Sequence, residues 1–190
     1  SLPGLIALVQ KSLLRRAERG ASVRYELHEL LRQLADEQLG EIQGERAAVE
    51  QRHSQHYLAF VAERERRMAR DDPHAAVAEI QGELDNVRQA WAWASAHAWL
   101  EPLANSASGL SYFYLHVGPY AEAEQGFGLA ADLIMARENG AANERAGQVA
   151  STLLILHAGY AVTQNKLDQG FAAAQRGIAL ALASGNREGQ

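Results

Sequence analysis

Between Val23 and Leu39 the spacing of apolar residues changes period. Val23, Tyr25 and Leu27 alternate with Arg24 and Glu26, the two-residue rhythm of a strand with one covered face. From Leu27 onward Leu31, Leu34 and Gln38 fall on one helical stripe, with Leu30 and Leu39 beside it. His28 therefore stands at a helix N-terminus, where unpaired backbone N–H groups and the helix dipole favour an anion. Upstream, Leu5, Leu8, Val9 and Leu13 mark a short helix closing in Gln10-Lys11-Ser12. A first strand, Leu13-Leu14-Arg15-Arg16, and a turn, Arg19-Gly20-Ala21, lead into the second strand. The pattern predicts helix, hairpin, helix, with the only sheet lying within residues 12–28.

Every later stripe has a period near 3.6, so the rest of the chain should be helix or loop. After a break at Gly40 to Gly44, a helix is expected from about Glu45 to Arg70, with Val49, Tyr57, Phe60, Val61 and Met68 on one face. Its outer face, Glu63 to Arg67, mixes both signs and reads as solvated. Asp71-Asp72-Pro73 ends that helix and starts another, with Asp72 as N-cap and Pro73 in the first turn. One long stripe follows: Val77, Ile80, Leu84, Val87, Trp91 and Ala94. Such a stripe needs a partner surface, so the helices should pack on one another.

From about Pro102 the pattern turns repeat-like. Leu103, Ala107, Leu110, Tyr114 and Val117 share a face, and Gly118-Pro119 turns the chain with Pro119 at the start of the next helix. Ala123, Phe127 and Ala130 then recur at spacings of four and three, small residues for close approach around one aromatic. The segment Asp168 to Gly177 echoes that helix, with Gly170 at the place of Ala123 and Ala174 where an aromatic is expected. The 47-residue offset exceeds the roughly 34 of a standard tetratricopeptide unit.

Composition narrows the function classes. With 47% hydrophobic and 22% charged residues, the 190-residue chain can build one or two packed domains. Cysteine is absent, which removes disulfides, thiolate zinc sites and cysteine nucleophiles, and fits a reducing cytoplasm. No run approaches the roughly 18 apolar residues of a membrane span, and no signal-peptide pattern is present. Charge is uneven: residues 1–25 carry +4, from five cations against Glu18, while the whole chain is −5. A basic wing could touch phosphates, but the acidic body would repel a duplex, so DNA binding by this chain is not expected.

Candidate chemistry is sparse. His53 and His56 stand i, i+3 on a helix, a spacing that can hold a metal, yet no third ligand lies nearby in sequence and packing is the expected role. Trp91 belongs to the core stripe, and Trp93 and Trp99 read as inter-helix packing. Glu29–Arg32 and Asp85–Arg88 are i, i+3 ion pairs of the ordinary surface kind. No Gly-x-x-x-x-Gly-Lys-Ser/Thr loop is present to cradle a triphosphate, and no nucleophile–base–acid set is suggested, so no enzyme activity is expected.

Helix, hairpin, helix is the back half of a winged helix. The words Leu8-Val9-Gln10-Lys11-Ser12-Leu13-Leu14 and Arg24-Tyr25-Glu26-Leu27-His28-Glu29-Leu30-Leu31-Arg32-Gln33 resemble the winged-helix end of the NB-ARC module in STAND-type signalling ATPases. They look most like bacterial transcriptional regulators of the SARP and LuxR type. Arg52-His53-Ser54-Gln55-His56-Tyr57-Leu58 and Glu83-Leu84-Asp85-Asn86-Val87-Arg88-Gln89-Ala90-Trp91-Ala92-Trp93-Ala94 resemble the segments joining that winged helix to a helical array. The resemblance implies a mainly α fold: a winged-helix remnant with one β-hairpin over 1–44, a helical connector over 45–100, and an α-α superhelix of tetratricopeptide-like repeats, expected to be truncated, over 101–190.

It also implies that the chain is a piece of a longer cytoplasmic regulator, non-catalytic itself, coupling a nucleotide-dependent switch to a sensor surface. In the family a Met-His-Asp motif opens the helix after the hairpin, and its histidine contacts the β-phosphate of ADP. Here the motif reads Leu27-His28-Glu29, which makes His28 the candidate nucleotide contact. No cofactor is expected in this chain alone, with ADP or ATP held by the full-length parent. The implied partners are the parent's own nucleotide-binding domain and a protein or small-molecule inducer on the repeats, with no membrane. The rival reading is a free-standing tetratricopeptide adaptor that binds a peptide or partner protein in its concave groove.

Overall fold

A computed structural model of the chain describes residues 2–19, 22–41, 44–137 and 143–185. Among them the fold is mainly α, with one two-stranded antiparallel hairpin. The chain divides into two compact units, residues 1–49 and 50–190.

In the first unit α1 (Leu2–Gln10) turns at Ser12, whose φ of 56° and N–H bond to the Val9 carbonyl close the helix. Strands β1 (Leu14–Arg19) and β2 (Ser22–Leu27) pair with Leu14 opposite Leu27 and Arg16 opposite Tyr25. The sheet thus lies within residues 12–28 as expected. The turn expected at Arg19-Gly20-Ala21 falls partly outside the described residues. Helix α2 (Glu29–Glu41) runs through Gly40, so the break expected from Gly40 to Gly44 does not begin at Gly40. Arg46 then grips Asp36 by carboxylate (2.8 Å) and carbonyl (2.6 Å).

The expected burial is not met here. Tyr25 and Leu27 are exposed on β2, and α2 buries no residue, with Leu30 68% and Leu34 53% exposed. A unit this small has too little volume behind its surface to enclose both an apolar strand face and an apolar helix stripe. The amphipathic pattern is real, and its apolar side faces outward in this chain.

The second unit begins within α3 (Glu45–Arg66). Of the expected face, Val61 and Met68 are buried, while Val49 is exposed and Tyr57 and Phe60 are half-buried; Ser54 and Leu58 are buried in their place. Ser54 belongs inside because its hydroxyl donates to the Ala90 carbonyl at 2.8 Å. The helix does not reach Arg70: Arg67–Asp71 is a π-helical turn. Arg64 and Arg67 both pair with Glu79 (2.7 and 2.9 Å), fastening this turn to α4 (Pro73–Gly82), while Arg64 also lies over the Phe60 ring. Asp72 caps α4 as its sequence indicates, accepting from the Ala75 N–H.

The long stripe from Val77 to Ala94 belongs to two helices, not one. Glu83 leaves helical geometry (φ −113°, ψ 13°) and separates α4 from α5 (Leu84–Ala96). Gly82, a poor helix former, precedes the break, and a single-residue interruption leaves Ile80, Leu84 and Val87 nearly in phase. Four longer helices follow: α6 (Leu100–Val117), α7 (Tyr120–Arg137), α8 (Glu144–Thr163) and α9 (Leu167–Ala183). Gly118 ends α6 with φ 94°, where a side chain would be strained, and Val117 before it is exposed instead of completing the core face. Pro119 lies just before α7, its carbonyl accepting from Ala123 N–H.

Packing links neighbours and next-neighbours. Helix α5 meets α6 and α7, α6 meets α7 and α8, α7 packs on α8, and α8 on α9. That is how an α-α superhelical array buries a continuous core. Small residues set the spacing. A Cβ on Gly170 would lie 2.7 Å from Val162 Cγ2 and 3.1 Å from the Ala158 carbonyl, so α9 approaches α8 closely there. Ala123 and Phe127, read from spacing as the close-approach pair of α7, are both 1% exposed. Gly170→Leu should overpack the α8–α9 approach and lower stability by about 1–3 kcal/mol in urea unfolding; an unchanged midpoint would mean the side chain has room.

Candidate functional site

His28 caps α2 in a way its position permits but its type does not require. Its Nδ1 accepts the Leu30 backbone N–H at 3.3 Å, taking the place of a serine or aspartate cap. A neutral ring with Nδ1 accepting carries its proton on Nε2, so this exposed histidine offers one N–H donor next to the positive end of a helix. Glu29 is engaged within the helix, taking Arg32 on both oxygens (2.7 and 3.0 Å) and Gln33 on one. Bonding to Arg32 holds its carboxyl below the usual range.

The other histidine candidates are structural. His53 is half-buried, with Nε2 3.5 Å from Asn86 Oδ1, and packs against the Tyr57 ring; His56 meets the same ring edge-on from an exposed position. Among the described residues no group of three or more His, Cys, Asp or Glu is placed to hold a metal ion. The tryptophans pack as well. Trp91 donates to the Gly126 carbonyl and stands edge-on to Phe127. Trp93 donates to Glu50, stacks on His97 at 4.0 Å and meets Trp99 at 5.6 Å.

Two features of the helical unit were not legible as sites. The first is a cavity of about 220 Å³ between α5, α6 and α7, walled by Trp91, Leu110, Ala123, Phe127 and Leu133, with the exposed Leu129 at its mouth. Its polar rim is closed on itself. Arg88 reaches Glu122 with two nitrogens (2.6 and 2.7 Å) and Asp85 with a third (3.0 Å), while the Tyr114 hydroxyl donates to Glu122 at 2.7 Å. The expected Asp85–Arg88 pair is thus present, but the main partner of Arg88 lies on another helix. Arg88 holds Glu122 below the usual carboxylate range, and burial pushes the Tyr114 phenol up. The cavity is smaller than the roughly 300–1,000 Å³ typical of ligand pockets, and its hydrogen-bonding groups already serve each other.

The second feature is Glu124, a carboxylate only 4% exposed on α7. Its Oε2 takes Lys166 Nζ at 2.5 Å and Gln164 Nε2 at 2.7 Å, and its backbone carbonyl lies 2.8 Å from His157 Nδ1. It holds the α8–α9 turn, where Asn165 has φ 61°. Nothing near Glu124 in sequence reveals this, since its partners lie about forty residues on.

Comparison with protein-family models, with curated proteins and with solved structures finds no match to this chain. Among the described residues no helix is long and apolar enough to cross a membrane.

Proposed function

We propose that this chain is a non-catalytic regulatory segment of a cytoplasmic STAND-type transcriptional regulator. It would couple a nucleotide-dependent switch to a helical array that receives a protein or small-molecule inducer. The observation that carries the reading is His28. It caps α2 through Nδ1, is exposed, and presents Nε2–H beside helix-end amides, an arrangement suited to one oxygen of a diphosphate. The uncovered Leu30 and Leu34 on the same helix support it, because a segment that docks on a nucleotide-binding domain keeps an apolar face open for that domain. On this reading the parent's nucleotide-binding domain is the partner, and ADP or ATP is bound there, not by this chain alone.

The test is His28→Ala in the full-length protein. Loss of one charge-assisted hydrogen bond, about 1.5–3 kcal/mol, should weaken ADP retention by about 10- to 100-fold. Transcriptional output without inducer should rise at the same time, because the resting state is lost. Unchanged ADP affinity with lower output would make His28 an ordinary cap. The adaptor reading would then stand in its place.

A further inference from the structure

We propose that the cavity between α5, α6 and α7 binds a small uncharged aromatic molecule of one or two rings. Its use as the inducer site of the array rests on the reading above; the binding itself does not. The space of about 220 Å³ exceeds the roughly 150 Å³ that admits one benzene molecule to an apolar protein cavity. It opens past Leu129, a large apolar side chain 61% exposed, and the exposed Ala92 and half-buried Leu133 also line it.

Residue choice leaves this space open. Elsewhere in the array glycines mark helices forced close together. A Cβ on Gly109 would lie 2.9 Å from the Val61 carbonyl oxygen, and one on Gly177 would lie 3.1 Å from Ile155 Cδ1. Gly126 lines the cavity and differs from both: the nearest atom on another helix to such a Cβ is Trp91 Nε1 at 3.9 Å, an ordinary contact distance. Glycine in a helix interior is destabilising relative to alanine, so Gly126 weakens α7 with no packing need behind it. Protein interiors hold few spaces larger than a water molecule, and a side chain at this position would fill much of this one.

The walls select the guest. Every polar side chain that lines the space is already engaged. Arg88 pairs with Glu122 and Asp85, and Tyr114 donates to Glu122. Ser95 donates to the Trp91 carbonyl, and Trp91 donates to the Gly126 carbonyl. A charged guest would have to break the Arg88–Glu122 pair or lie unpaired in an apolar space. Among the described residues no buried side-chain nitrogen or oxygen lacks a partner, so water finds no unmatched group to hold it inside. Apolar contact is what remains, and Trp91, Phe127 and Tyr114 supply ring faces and edges for an aromatic molecule.

Indole titrated into the 190-residue chain should shift the methyl resonances of Leu110, Leu129 and Leu133 saturably. A dissociation constant of about 0.1–1 mM is expected for a ligand of so few atoms. Benzoate, a single ring with a fixed charge, should leave those resonances unmoved. Gly126→Leu, which fills the space from α7, should weaken indole binding by about tenfold or more with helical circular dichroism retained. Ala92→Leu should weaken it too, from an exposed position on the α5 wall where folding is not at risk. Absence of saturable shifts with indole would overturn the proposal. So would indole binding that survives both filled variants, which would place it elsewhere, and so would benzoate binding as tightly as indole. None of these outcomes turns on ADP retention in His28→Ala, because no nucleotide-binding domain takes part.

Discussion

Phe127→Ala should lower the stability of the helical unit by about 3–5 kcal/mol, the upper range for deleting a buried aromatic. The ring is 1% exposed and joins three helices. From α7 it meets Trp91 of α5 edge-on at 5.5 Å and lies parallel to Tyr160 of α8 at 5.9 Å. Removing it opens a space that merges with the cavity of about 220 Å³ already beside it. Collapse is hindered on both sides. Trp91 is tethered to Gly126, and Tyr160 donates to the Ser111 carbonyl at 2.6 Å. A site that cannot relax takes the full penalty of the missing contacts. Since whole domains are stable by only about 5–15 kcal/mol, the loss should appear as a large fall in the urea midpoint. A loss below about 1 kcal/mol would mean that Trp91 and Tyr160 close over the gap.

That junction illustrates which parts of the fold the sequence discloses. Ala123, Phe127 and Ala130 mark a buried helix face, because small residues around one aromatic at helical spacing have few other uses; all three are buried. Asp72-Pro73 discloses a helix start, because capping chemistry is local. The hairpin is legible from alternation alone. Features that depend on partners far along the chain are not. Glu83 breaks a helix without disturbing the apolar phase, so the division of α4 from α5 leaves no trace in the pattern. Leu58 is deeper than Val49 because burial follows the neighbour, α5, and not the helix's own stripe.

The site residues divide along the same line. His28 is identifiable because a helix N-terminus is marked by the change of period at Leu27. Leu30 and Leu34 show why patterning overstates burial: an apolar stripe states what a helix prefers to cover, not whether this chain covers it. Arg88 looks like an intrahelical partner of Asp85 until α7 brings Glu122 to it. Glu124 looks like any solvated helix acid. Its place between α7 and the α8–α9 turn appears only when three helices are assembled.

Lys166→Met should expose how far that buried acid governs the end of the array. In the wild-type protein burial works against ionised Glu124, but Lys166 and Gln164 more than offset it, and the carboxyl titrates below its ordinary value of about 4.3. A group depressed in the folded state adds stability above its unfolded pKa and loses it as pH falls through the folded one. Removing the ammonium reverses the sign. The carboxylate stays 4% exposed with Gln164 as its remaining side-chain donor, and burial then drives its pKa upward. The variant should come closest to wild type near pH 4, where Glu124 can be protonated, and fall behind as pH rises to 7. Breaking a buried pair costs about 3–5 kcal/mol, and the low end applies at pH 7 because the Lys166 side chain is 38% exposed and partly solvated already. Glu124→Gln added to Lys166→Met should recover much of the loss and flatten its pH dependence, since a neutral amide needs no counter-charge. Urea unfolding of the three proteins at pH 4, 5.5 and 7 decides the matter. A deficit in Lys166→Met that is equal at all three would show that Lys166 acts through packing at the start of α9 and not through the charge of Glu124.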